Sequence, residues 1–122
     1  MPLKRLIVEM GTGNDLYGED YTKAASRAVQ DALHHSSLTL FKSLNIDPNS
    51  MVVDVIIGIE KPEAVDTGII ASQIPYGSVT VTTTHGGLYL PDTENQITTV
   101  VATAAVVASI DLPDERFALE TD

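Results

Sequence analysis

The stretch EMGTGNDLYGEDYTKAA, residues 9 to 25, gathers residue types that can do chemistry. Three glycines, Gly11, Gly13 and Gly18, enclose Asn14, Asp15 and Tyr17, and an apolar run precedes them. A strand, a glycine-rich loop and a helix are the usual geometry for holding an anion, because backbone N–H groups converge on a helix N-terminus. The spacing fits neither strong phosphate fingerprint. Gly13 and Gly18 are followed by Glu19 and Asp20 where G-x-x-x-x-G-K-[ST] needs a lysine, and G-x-G-x-x-G fails at Leu16. Glu9, Asp15, Glu19 and Asp20 also surround the loop with negative charge, which repels a polyphosphate. A neutral or cationic small molecule, or a hard divalent ion held by oxygen, suits it better. Asp15 is then the natural general base, acceptor or ligand. Gly11, Gly13, Asn14, Tyr17 and Gly18 would bind around it, with Arg5 or Arg27 beside them. The competing reading makes Asn14-Asp15 a turn-shaping pair that caps nearby N–H groups.

Other candidates are weaker. His85 stands beside Gly86-Gly87 after a strand, where it could project into a cleft as an acid–base group; otherwise it is an exposed turn histidine. His34 and His35 point about 100° apart on a helix, so they do not share a metal simply. No metal site is expected, and no cofactor is named. Ser36, Ser72 and Ser78 lack the sharp turn of a nucleophile elbow. Asp54 and Glu60 lie in or beside an apolar strand, where a carboxylate needs a partner such as Arg5 or Lys23, or a wet edge.

Composition narrows the class. The chain has 122 residues, 43% of them hydrophobic, enough for one domain with a real core. There is no cysteine, so disulfides and thiolate chemistry are excluded; a reducing cytosol is the expected location. The net charge is −10 with seven lysines and arginines, which argues against nucleic acid and anionic membranes as partners. Lys4-Arg5 before a short apolar run looks like the start of a signal peptide. Glu9 interrupts that run, so residues 3 to 10 are read as a strand.

The elements that must position these residues follow from hydrophobic periodicity. Residues 20 to 44 read as a helix capped by Asp20, with Ala25, Ala28, Val29, Ala32, Leu33, Ser36, Leu40 and Leu44 on one stripe and a stop at Asn45. That stripe is rich in alanine and serine, so the helix can lie close to its sheet. MVVDVIIGI, residues 51 to 59, is nearly all apolar and reads as a central strand buried on both faces. Pro62 could open a short helix. SVTVTTT, residues 78 to 84, alternates as an antiparallel strand with one polar face, and LYL after Gly86-Gly87 adds a few residues of strand. Ile97, Val100, Val101, Ala104, Ala105 and Ala108 recur at helical spacing behind a Thr93/Gln96 capping box, so a second main helix is expected over 94 to 110. Phe117 and Leu119 in the acidic tail could add an edge strand.

Gly11, Gly13, Asp15 and Gly18 stand in register with the GxGxDxHG signature of a family of short, functionally uncharacterised bacterial and plant proteins, which this chain resembles. Tyr17 replaces the signature histidine, so a histidine-dependent metal or acid–base role does not carry over. IPYGSVTV (74 to 81) and HGGLYL (85 to 90) extend the resemblance over nearly the whole chain. The element order is also loosely similar to the chorismate mutase and YjgF-like α+β folds. Those assemble as rings, typically trimers, with small-molecule sites between subunits.

The expectation is therefore a single α+β domain over residues 1–122: a two-layer sandwich with a mixed sheet and two main helices packed on one face. The bare sheet face calls for a homo-oligomer, a trimer or a multiple of it by the ring analogy. The function expected is a small-molecule enzyme or binding protein with an interface site on the Gly11–Gly18 loop. The alternative is a non-catalytic assembly protein whose loop is structural.

Overall fold

The computed structural model describes residues 4–16, 20–34, 50–74 and 77–110. In chain order the elements are β1 (Lys4–Asp15), α1 (Tyr21–His34), β2 (Val52–Ile59), a single 3-10 turn (Pro62–Ala64), α2 (Thr67–Ser72), β3 (Ser78–His85), β4 (Leu88–Asp92) and β5 (Ile97–Ile110). They form an α+β sandwich. The five-stranded sheet runs β1-β5-β2-β3, with β4 also paired to β5. β5 is antiparallel to β1, β2 and β4, while β2 and β3 are parallel. So β5 alone runs against the other four strands.

Local chemistry explains most of these boundaries. Asp20 caps α1 by accepting the Lys23 N–H at 3.0 Å. Asp66 caps α2 in the same way, accepting the Ile69 N–H at 3.2 Å. Pro62 opens the 3-10 turn, where its missing N–H costs nothing. Gly87 has φ +66, and a side chain there would strike the Val101 carbonyl oxygen; only glycine lets the chain cross from β3 into β4.

The core lies between α1 and one face of the sheet. Ala24, Ala25, Ala28, Val29 and Ala32 of α1 meet Val53, Val55, Ile57 and Ile59 of β2 and Val100, Ala102, Ala104, Val106, Ala108 and Ile110 of β5. Ile70 of α2 completes it.

Three expectations are corrected. Residues 97 to 110 are a strand, not the second main helix, and Thr93 to Gln96 form the turn of the β4–β5 hairpin instead of a capping box. Every second side chain of β5 faces α1, and hydrogen bonding to strands on both edges outweighs the helical propensity of its alanines. β3 is parallel to β2 because the turn and α2 carry the chain back across the sheet before it starts. β2 is not buried on both faces: Val53, Val55, Ile57 and Ile59 are buried, whereas Asp54 and Ile56 are exposed on the face away from the helices. The expected continuation of the first helix to residue 44, the Asn45 stop, His35, Ser36 and the tail with Phe117 and Leu119 lie outside the described residues.

Candidate functional site

Gly11, Gly13 and Asn14 belong to β1, not to a loop. Gly11 and Gly13 face α1. A Cβ on Gly13 would sit 2.6 Å from the Ala24 carbonyl oxygen and collide with the Ala28 nitrogen; one on Gly11 would collide with the backbone of Ala28 and Ala32. The two glycines and the alanines opposite them bring helix and strand backbones into direct contact. Tyr17 and Gly18 lie outside the described residues.

Asp15 ends β1 on the same face and is 5% exposed. Its Oδ2 accepts the Asp20 N–H at 3.0 Å. Its Oδ1 lies 3.6 Å from Lys23 Nζ and 3.9 Å from Arg27 Nη1, and both cationic side chains are about half exposed. The carboxylate thus ties the end of β1 to the first two turns of α1. Chemically this is a latch: one backbone donor and two cations already converge on the two oxygens.

His85 ends β3, across from Ile59. β1, β2 and β3 run the same way, so Asp15 and His85 sit toward the same end of the sheet. β5 and β2 separate their strands, three spacings or about 14 Å. The structure does not bring the two together. Asp54 stands on the sheet face away from the helices, while Glu60 accepts the Tyr21 hydroxyl at 2.9 Å, with Lys61 Nζ 5.8 Å from that ring's centre. Among the described residues no group of three His, Asp or Glu is placed to hold a metal, and no helix is long and apolar enough to cross a membrane.

One feature escaped the sequence reading, and a second was expected from it. The first is a clamp on the outer edge of β1. Asp31 Oδ2 accepts the Thr12 N–H at 3.0 Å, and Arg27 Nη1 donates to the Asn14 carbonyl at 2.6 Å. The helical i, i+4 spacing of Arg27 and Asp31 was the available signal. Next to it, Met10, Gly11, Thr12, Asp31, Thr103 and Ala104 line a shallow depression of about 290 Å³. The second is the sheet face away from α1, bare except where Val107 and Ser109 are buried on it. Val8, Met10, Ile56, Leu88 and Leu90 all expose large apolar side chains there, with Met10 at 71%. Among the described side chains of the five strands, Asp54 and Asp92 are the charges on that face.

The fold and this latch define a small α+β domain in which a glycine-containing first strand is locked against its helix. The chain belongs to the Lin0512 family of conserved hypothetical proteins, whose model matches residues 5–108. It is similar to an FtsZ-like protein of unknown function from Nostoc punctiforme PCC 73102, known from a crystal structure. The two are 33% identical, with a TM-score of 0.80 over 92% of this chain and 99% of that one. No curated protein matches. The expected membership of a family of uncharacterised proteins is met at the level of the family.

Proposed function

We propose that the chain is a self-associating domain, a homo-oligomer that buries the bare face of its sheet. One observation carries this reading: among the described residues, five of the eight exposed large apolar side chains fall on that one face. The strand lengths at about 3.4 Å per residue, with about 4.8 Å between strands, give a face of roughly 770 Å². A stable interface takes about 800 Å² per partner. The charge pattern supports a second copy as the occupant. A chain of net charge −10 repels itself, and here it offers a face on which the described strands carry two carboxylates, Asp54 and Asp92.

The Asp15 latch supports a structural role for the glycine segment over a catalytic one, since its oxygens are spent on the Asp20 amide and two cations. A small-molecule reading keeps one point of support. Met10, Thr12 and Thr103, which line the depression, lie on that face, so a second copy would sit beside it.

Light scattering on wild type and Met10→Lys tests the assembly. Met10 is exposed in the single chain, so the lysine should leave the melting temperature unchanged and lower the mass of the assembly. A wild type that runs at 13.0 kDa, or a Met10→Lys variant with unaltered mass, refutes the reading.

A further inference from the structure

Strand edges are where backbone groups go unpaired, and proteins protect them with charge, proline, bulges or a covering element. The two end strands of the β1-β5-β2-β3 path are treated differently. β1 is covered: Asp31 and Arg27 of α1 engage its outward Thr12 N–H and Asn14 carbonyl. β3 is bare. Ser78 donates its N–H to Met51 O at 2.8 Å and Gly86 to Ile59 O at 3.0 Å. The period of two between these ends turns the N–H and C=O of the even-numbered residues toward β2. Those of Val79, Val81, Thr83 and His85 therefore point to the open side. No hydrogen bond to these outward groups is found among the described residues. The strand SVTVTTTH has no acidic residue, lysine, arginine or proline, and its register with β2 has no bulge.

We propose that β3 is a self-pairing edge: β3 of a second copy lies antiparallel to it about a two-fold axis at Val81, so that two sheets become one. Val81 then faces its own counterpart, and Val79 faces the partner's Thr83. Three such pairs form, each exchanging two backbone bonds. Between them Thr80 faces the partner's Thr82, and Ser78 the partner's Thr84, so hydroxyl-bearing side chains pair on the bare face. Every contact is uncharged and most are β-branched. A second copy fits better than a charged peptide for that reason. It would gain side-chain pairing as well as backbone bonds, and it brings an acidic chain together along a segment without carboxylates. This edge is distinct from the sheet face and stands without it.

Proline substitution separates the two sides of the strand. Thr83→Pro removes an outward N–H and should halve the assembly mass in light scattering while leaving the melting temperature near wild type. Thr82→Pro removes an N–H directed at β2 and should lower the melting temperature instead. Hydrogen exchange on the wild type gives an independent reading: the Val79, Val81 and Thr83 amides should slow as protein concentration rises. A folded Thr83→Pro variant with unchanged mass overturns the proposal. So do amides at these three positions that exchange freely at every concentration. Met10→Lys, which alters the face, should leave the exchange of these edge amides slow.

Discussion

Gly13 lies directly under the backbone of Ala28, so close that a single methyl group has no room between strand and helix. The contact reverses an ordinary expectation. Glycine inside a strand normally weakens it, and alanine is the routine repair. Here Gly13→Ala must push α1 away from β1 and open the Ala24, Ala28 and Ala32 seam. Overpacking of this kind costs about 1–3 kcal/mol and, against rigid backbone, more. Urea unfolding should show Gly13→Ala losing at least that much. A gain in stability would mean that the helix does not sit where the structure places it.

Asp15 offers a graded test. Asp15→Asn keeps an acceptor for the Asp20 N–H and loses only the attraction to Lys23 and Arg27. Both cations are about half exposed and remain solvated, so the loss should stay below about 1 kcal/mol. Asp15→Ala also removes the acceptor and should cost about 1–2 kcal/mol. Neither change should alter the assembly mass. A ligand whose binding disappears in Asp15→Asn, with stability intact, would instead make Asp15 a binding residue.

The β4–β5 turn carries a pH signature. Asp92 accepts the Asn95 side-chain amide at 2.9 Å and its N–H at 3.2 Å. The Asn95 side-chain bond, followed by its backbone bond, holds the Asp92 pKa below the ordinary 3.8. A lowered folded-state pKa means that the turn's contribution is fully present above the unfolded value. It is lost as pH falls through the folded one. Carbon-detected titration should place the Asp92 midpoint below 3.8, and the Asn95 amide should exchange faster once that midpoint is passed. A midpoint at or above 3.8 contradicts the contact.

The sequence told half of the β1–α1 story. An alanine-rich stripe announced a helix that packs closely, and Asp20 announced its start. The other half of the seam was misread because glycine signals two different things, a turn or an approaching backbone, and spacing does not separate them. Residues 97 to 110 failed for a related reason. With apolar side chains at nearly every position, Val100, Val101, Ala104, Ala105 and Ala108 satisfy a period of 3.6 as readily as a period of two. Only the partners on either side, β1 and β2, decide between them. The Arg27–Asp31 spacing marks one helix face, but the targets of the clamp are backbone groups, which that spacing does not name.

The placement of β5 also governs the order in which this protein can acquire its structure. β5 is the last of the five strands along the chain, yet it lies between β1 and β2. Its partners on β1 are separated from it by 85 residues (Asp15 to Val100) to 106 residues (Lys4 to Ile110). The β2–β3 ladder closes over 26 residues (Val52 to Ser78) and can form early. β1 has no neighbouring strand until β5 arrives, so the glycine–alanine seam cannot be clamped from its sheet side before then. Closing loops of that length is what slows folding. During synthesis, β1 is made before β2 to β5 yet is among the last of the five to be secured.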